Sequence, residues 1–185
     1  MHHGRVVGLV TIALVAFGCA HNSKMGTGTG QLITVMEAEV KPTAGNTCKG
    51  KVRFTNADST HLKVVIELEG LAPNSTHGIH LHDIGDCSGA DAMTAGGHYN
   101  PGHKPHGLPP SEERHAGDLG NITADKNGKV HQEMIVDNIS LTGTDNPIIS
   151  RAVIVHADKD DGGQPTGNSG ARIGCGQISV PKFKY

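Results

Sequence analysis

Tryptophan is absent from this chain of 185 residues, and aromatic side chains together make up only 3% of it. A core must therefore be assembled from Val, Ile, Leu and Ala. Charge of one sign is lacking as well, with 16 Lys and Arg against 18 Asp and Glu for a formal net charge of -2. That balance gives no support for nucleic-acid binding, which normally shows as a strongly basic face. Long apolar runs are missing: the stretch Val6 to Gly18 has 13 residues, too few to cross a bilayer and the right length for the apolar part of an export signal. No segment after residue 30 keeps a helical period. Two residue types stand out by excess, 13 His and 26 Gly, a combination that points to metal ligands and to long, tightly turning loops.

The N-terminus reads as an export signal. His2, His3 and Arg5 form a short polar start, and the apolar run ends in Ala16-Phe17-Gly18-Cys19. That ending resembles a bacterial lipobox, in which the Cys becomes the acylated N-terminus, although Ala16 stands where Leu is usual. A plain secretory signal cleaved nearby is the alternative. The expected organisation is a signal over 1–19 with lipidation at Cys19, a small, polar, flexible tether over 20–30, and one domain over 31–185. About 165 residues remain after the signal, enough for a sizeable core. The expected location is the periplasm or cell envelope, with membrane contact only through the lipid. Export places Cys87 and Cys175 in an oxidising compartment where they could pair. Cys48 is then a buried free thiol, an intermolecular partner, or the partner of another Cys, and the sequence leaves these open.

From Gln31 onward, short alternating runs recur between clusters of Gly, Pro, Asn and Asp. They cover Leu32 to Val40, Lys49 to Asn56, Leu62 to Glu69, Gly78 to His82, His115 to Thr123, Val130 to Asp137, Arg151 to His156 and Arg172 to Val180. A period of two with turn signals at this spacing predicts an all-β sandwich or barrel. Two long stretches, about 83–114 and 157–171, lack strand character, and loops of that length in one domain are usually functional.

The histidines fall in a pattern. His80 and His82 are two apart in Gly-Ile-His-Leu-His, so on a strand both rings leave the same face. His98, His106, His115 and Asp118 occupy the first long loop and the strand after it, and His156 ends the run Ala-Val-Ile-Val-His. Imidazole suits copper and zinc alike, and a carboxylate can complete a tetrahedral zinc site. A lone His on a strand is more often packed or solvated, and His2, His3, His21, His61, His77 and His131 take that plain reading. His103 is ambiguous.

At this point a family resemblance emerges. Gly78-Ile-His-Leu-His-Asp-Ile-Gly-Asp-Cys-Ser88 resembles the copper-ligand strand and disulfide loop of bacterial copper/zinc superoxide dismutases. Gly96-Gly-His-Tyr-Asn-Pro101, His106-Gly and Arg114-His-Ala-Gly-Asp-Leu-Gly-Asn121 are similar to that family's zinc loop. Val155-His156, Asp160-Asp161 and Thr166-Gly-Asn-Ser-Gly-Ala-Arg-Ile-Gly-Cys-Gly176 resemble its last copper ligand and arginine segment. The resemblance spans about residues 30 to 180.

It implies a Greek-key β-sandwich or flattened barrel of about eight antiparallel strands with two long functional loops. It further implies copper on His80, His82, His98 and His156, and zinc on His98, His106, His115 and Asp118, with His98 as the bridge. Asp160 would link His80 to His106, Cys87 and Cys175 would form the disulfide, and Arg172 would stand beside the copper. The implied activity is dismutation of superoxide to dioxygen and hydrogen peroxide, with His98 delivering a proton and Arg172 attracting the anion. Lys104, Lys126 and Lys159 are the candidates for a wider steering field, since none of the ten residues between Asp161 and Arg172 is charged. The main rival is a dismutase-like module that binds or delivers copper without catalysis. A zinc hydrolase using Asp118 or Asp160 as base leaves His80, His82 and His156 unexplained. A homodimer and a monomer are both left open.

Overall fold

Alternation in Leu62–Glu69 is realised as a strand that buries Leu62, Val64, Ile66 and Leu68 and turns the residues between them outward. The computed structural model describes residues 1–2 and 32–182; the predicted signal beyond residue 2, the tether and Cys19 lie outside them. Eight strands follow along the chain: β1 (Val35–Pro42), β2 (Lys49–Asn56), β3 (Leu62–Glu69), β4 (Thr76–His82), β5 (Asp118–Thr123), β6 (Val130–Val136), β7 (Ala152–His156) and β8 (Arg172–Ser179). Apart from one 3-10 turn at Met93–Ala95, the described residues contain no helix.

The strands pair in the order β5-β4-β7-β8-β1-β2-β3-β6, every pair antiparallel. The sheet curls into a nearly closed barrel. The hairpin ladder β1-β2-β3 is extended by β6 rather than β4, so the chain crosses over twice, as a Greek key does. At the unpaired seam, the Gln132 side chain donates Nε2–H to the Asn121 carbonyl, 3.2 Å away. The interior is aliphatic, as the missing tryptophan requires: Met36, Val52, Val64, Ile66, Ile79, Leu81 and Ile122 are fully buried, with Phe54 the largest member. Cys48 belongs to this core and is unpaired among the described residues. Burial pushes its thiol up to about 12, so it stays protonated and unreactive.

Two strands depart from the half-buried pattern in a way that matters for the site. β4 is buried on both faces from His77 to His82, and β7 is buried along its whole length. Ile79, Leu81, Val153 and Val155 face the barrel core. The opposite face, which carries His80 and His82, would meet water on a bare sheet, but the two long loops cover it. Boundaries moved at several predicted elements. His115 was expected on a strand, yet β5 starts at Asp118, and His115 sits in the turn before it. The cause is local: the Asp118 carboxylate accepts the backbone N–H of both Gly107 and His115, and Asp118 N–H donates to the His115 carbonyl, which wraps the chain.

Candidate metal centre

The ring positions follow from strand register. His80 and His82 project from one face of β4, and β7 pairs beside it with His80 opposite Ile154 and His82 opposite Ala152. A register shift between Val155 and His156 turns the end of β7 so that His156 joins them. From the first long loop, His98 forms a bridge pair with His82 and brings its ring 4.1 Å from that of His80. His80, His82, His98 and His156 thus offer one nitrogen each, all within 4.8 Å of one another. His98, His106, His115 and Asp118 form a second such group, and His98 is common to both. All seven expected side chains come together.

Their tautomers can be read from their partners. His82 Nδ1 lies 2.9 Å from the Gly96 carbonyl and His156 Nδ1 lies 3.2 Å from that of Gly170. A carbonyl only accepts, so both Nδ1 atoms carry hydrogen and both Nε2 atoms hold bare lone pairs. The Asp160 carboxylate takes His80 Nε2–H at 2.7 Å and His106 Nε2–H at 3.0 Å, which leaves the lone pairs of these two rings on Nδ1. Burial works against a charge on Asp160, but the hydrogen bonds from His80, His106 and the Gly162 N–H outweigh it and hold the carboxyl below its usual range. Asp118 is depressed in the same way, burial being outweighed chiefly by His98 and the Gly107 N–H.

Five buried ring nitrogens are thereby left without a hydrogen-bond partner: His80 Nδ1, His82 Nε2, His98 Nε2, His106 Nδ1 and His156 Nε2. Buried polar atoms are rarely left so, and four of them, all but His106 Nδ1, converge in the first group. A cation is what lone pairs converging from several rings can satisfy. Around Asp118, His98 Nδ1 lies at 2.9 Å, His106 Nδ1 at 3.0 Å and His115 Nδ1 at 3.2 Å from its carboxylate oxygens. Three nitrogens and one oxygen match tetrahedral zinc, and four imidazole nitrogens match copper. The residues present fit both metals.

The first group opens onto a cleft of about 830 Å³, lined by His82, His98, His156, Arg172 and Asp91 among others. Arg172 donates to the carbonyls of Ala92 at 2.6 Å and Gly96 at 2.7 Å, so the Gly96 carbonyl joins the arginine to His82. Cys87 and Cys175 are bonded, with Cα atoms 5.7 Å apart. A slightly larger surface cleft of about 860 Å³ gathers Lys49, Lys51, Glu67, Glu69 and Lys129 away from the histidines and has no part in the site. Lys104, Lys126 and Lys159, the candidates for steering, do not line the metal cleft. Its acidic residue, Asp91, has no sequence signal. His103 is exposed and outside both groups. Nor did sequence reasoning find the carbonyls of Gly96 and Gly170, because backbone acceptors leave no mark in a sequence.

Burial keeps the metal-free rings neutral. It lowers His80 to about 4 against its bond to Asp160, His156 to about 3 and His82 to about 2. In an unfolded chain the same rings take protons near about 6.5. The unfolded state therefore binds more protons below that pH, and the stability these rings contribute is complete above it and lost as pH falls toward the folded values. For three rings the slope reaches roughly 4 kcal/mol per pH unit. Urea midpoints of the metal-free protein should drop steeply between about pH 7 and pH 5; a flat profile would contradict the neutral, buried histidines.

Comparison with known proteins agrees with this geometry. Residues 48–178 match the family described as copper/zinc superoxide dismutase (SODC). The chain is 40% identical over 191 aligned positions to the superoxide dismutase [Cu-Zn] of Paramecium bursaria Chlorella virus 1, covering 98% of this chain and 96% of the viral one. Among solved structures, the clock protein EA4 superposes with a TM-score of 0.74 at 36% identity, covering 82% of this chain and 98% of that one.

Proposed function

This chain belongs to the copper/zinc superoxide dismutase family, and on that premise we propose which of its residues carry the reaction and where in the cell it works. It dismutes superoxide to dioxygen and hydrogen peroxide, with copper and zinc as cofactors. His80, His82, His98 and His156 hold the copper; His98, His106, His115 and Asp118 hold the zinc. The copper assignment is carried by four partnerless buried nitrogens that converge, and the zinc assignment by His98, His106 and His115 gathered around the Asp118 carboxylate. Copper supplies the one-electron couple that serves both half-reactions, while zinc supplies a fixed positive charge beside it.

The remaining work falls to the protein. Arg172 commits two N–H groups to backbone carbonyls, which leaves its permanently charged guanidinium fixed at the cleft with three of its five donors uncommitted. A small anion entering the cleft meets that charge beside His82, His98 and His156. His98 Nδ1 faces Asp118 and the zinc group, so its Nε2 is the atom on the cleft side that can hold a proton and pass it to the reduced product. The cleft is open to solvent, so a small anion can reach His82, His98 and His156 directly.

The direct test is metal content and superoxide dismutation on the purified protein. About one copper and one zinc per chain with copper-dependent turnover is expected, and Arg172→Ala should lower turnover about tenfold or more, the value of a hydrogen bond to a charged group. It should also flatten the ionic-strength dependence. Full activity in that variant would remove Arg172 from the reaction. Both metals bound without turnover in the parent protein would favour a copper-delivery module.

The same proposal places the chain outside the cytoplasm as a bacterial lipoprotein, anchored through Cys19 in the periplasm or cell envelope. Its supports are the apolar run Val6 to Gly18, the ending Ala16-Phe17-Gly18-Cys19, and the Cys87–Cys175 disulfide, a bond that persists in oxidising compartments. Mass spectrometry of the mature N-terminus should find an acylated Cys19, and an unmodified terminus elsewhere would overturn the anchor.

A further inference from the structure

His106 lies in the first long loop, where no strand pairs with its backbone. Its two main-chain groups are nonetheless both satisfied, and by one side chain. His106 N–H donates to Gln164 Oε1 at 3.0 Å, and Gln164 Nε2–H donates to the His106 carbonyl at 2.8 Å. Neither group has another hydrogen-bond partner among the described residues. A carboxamide presents one acceptor and one donor side by side, so Gln164 does for a single residue what a neighbouring strand would do.

Gln164 is itself well placed to act as a fixed tool. It stands at the tip of a turn closed by Gly167 N–H to the Gly163 carbonyl at 2.6 Å and by Asp161 N–H to the Gly167 carbonyl at 3.0 Å. Gly167 has φ +77°, and a Cβ there would run into Asp160 Oδ1 and His106 Nε2, so the turn is pressed against the ring that Gln164 holds by its backbone. The same device recurs one step away: Asn121 Nδ2–H donates to the Asp160 carbonyl at 2.9 Å, and Asp160 N–H donates to Asn121 Oδ1 at 2.8 Å. Asn121 thus fixes the backbone of the carboxylate, and Gln164 fixes the backbone of the ring which that carboxylate orients.

We propose that Gln164 is a positioning residue for zinc, presetting His106 so that Nδ1 points at the metal before the metal arrives. This inference rests on the reading of His106 as a zinc ligand. It assigns a task to the short, uncharged stretch between Asp161 and Arg172, which ties the cleft wall leading to Arg172 to the zinc loop.

The test is zinc affinity, read by chelator competition, together with the visible spectrum of cobalt(II) in the zinc position. Gln164→Ala should weaken zinc about 10–100-fold, the usual loss when a ligand's supporting partner is removed, and should alter the cobalt bands. Gln164→Glu keeps the acceptor for His106 N–H but sets a carboxylate against the carbonyl, so it should also weaken zinc and remains informative if the alanine variant folds poorly. Thermal unfolding separates positioning from ordinary fastening of the loop. Positioning predicts a larger loss of stability in the zinc-loaded protein than in the metal-free one. Equal losses, or wild-type zinc affinity and cobalt spectrum in both variants, would overturn the proposal. His106→Ala distinguishes the two layers: unchanged zinc binding there refutes the ligand assignment itself, whereas weakened binding there beside unaffected Gln164 variants refutes only the clamp.

Discussion

Asp160→Ala is expected to lower zinc affinity about 10–100-fold and to disturb the copper position in the same variant. The carboxylate is fully buried and accepts from rings on opposite sides of the centre, His80 at 2.7 Å and His106 at 3.0 Å. Without it, two buried ring N–H groups lose their acceptor, each at a cost of about 1–3 kcal/mol. Each ring can relieve that cost by moving its hydrogen to Nδ1, which removes the lone pair the metal needs. Asp160→Asn does not repair the defect. An amide has a single acceptor oxygen, and its NH₂ group would face a ring N–H. Chelator competition reads the zinc loss, and the copper(II) electron paramagnetic resonance spectrum reads the change at His80. Wild-type zinc affinity together with an unchanged copper spectrum would show that the rings are oriented by something other than Asp160.

Removing the disulfide by the double change Cys87→Ala and Cys175→Ala should cost about 4–5 kcal/mol of stability in the chain-entropy account, since the bridge closes 88 residues. In a domain of this size that lowers the melting temperature by on the order of 10 °C or more. Alanine is the appropriate replacement because Cys175 packs with Ala92, Ala95, Ala152 and Ile154, where a serine hydroxyl would be buried without a partner. A second effect should accompany the first. Arg172 is three residues before Cys175, and its two carbonyl anchors, Ala92 and Gly96, sit on the loop that contains Cys87. Freeing that loop loosens the guanidinium, so turnover should fall even well below the new melting point. A variant that melts as the parent does and keeps full turnover would contradict both effects.

Strands with one buried face were legible almost residue by residue: β2 and β3 occupy the predicted Lys49 to Asn56 and Leu62 to Glu69. Their period of two is forced by the pleat, with a core on one side and water on the other. β5 was misjudged at its start, because Asp118 bends the chain back to His115 through hydrogen bonds that no hydrophobic pattern records. The ligand residues could be named because imidazoles two apart on a strand, and in a Gly-rich loop, are distinctive by type and spacing. The residues that aim them were harder to see. Asp160 became visible only through the family resemblance, and Gln164 is an ordinary amide in a polar loop until His106 is found against it.

Composition and period by themselves determined that the chain would be an aliphatic all-β sandwich or barrel with two long loops, and residue type pointed to metal held through imidazole. These are properties of single residues and of near neighbours in sequence. Tertiary structure alone decided which nitrogen of each ring is free. That depends on partners far along the chain: Asp160 is 80 residues from His80 and 54 from His106. It also decided that Cys48 is buried without a partner among the described residues and that Asp91, rather than a lysine, shares the cleft with Arg172. A hydrogen bond or a field acts over a few ångströms of space, and only the closed barrel brings those residues within that reach.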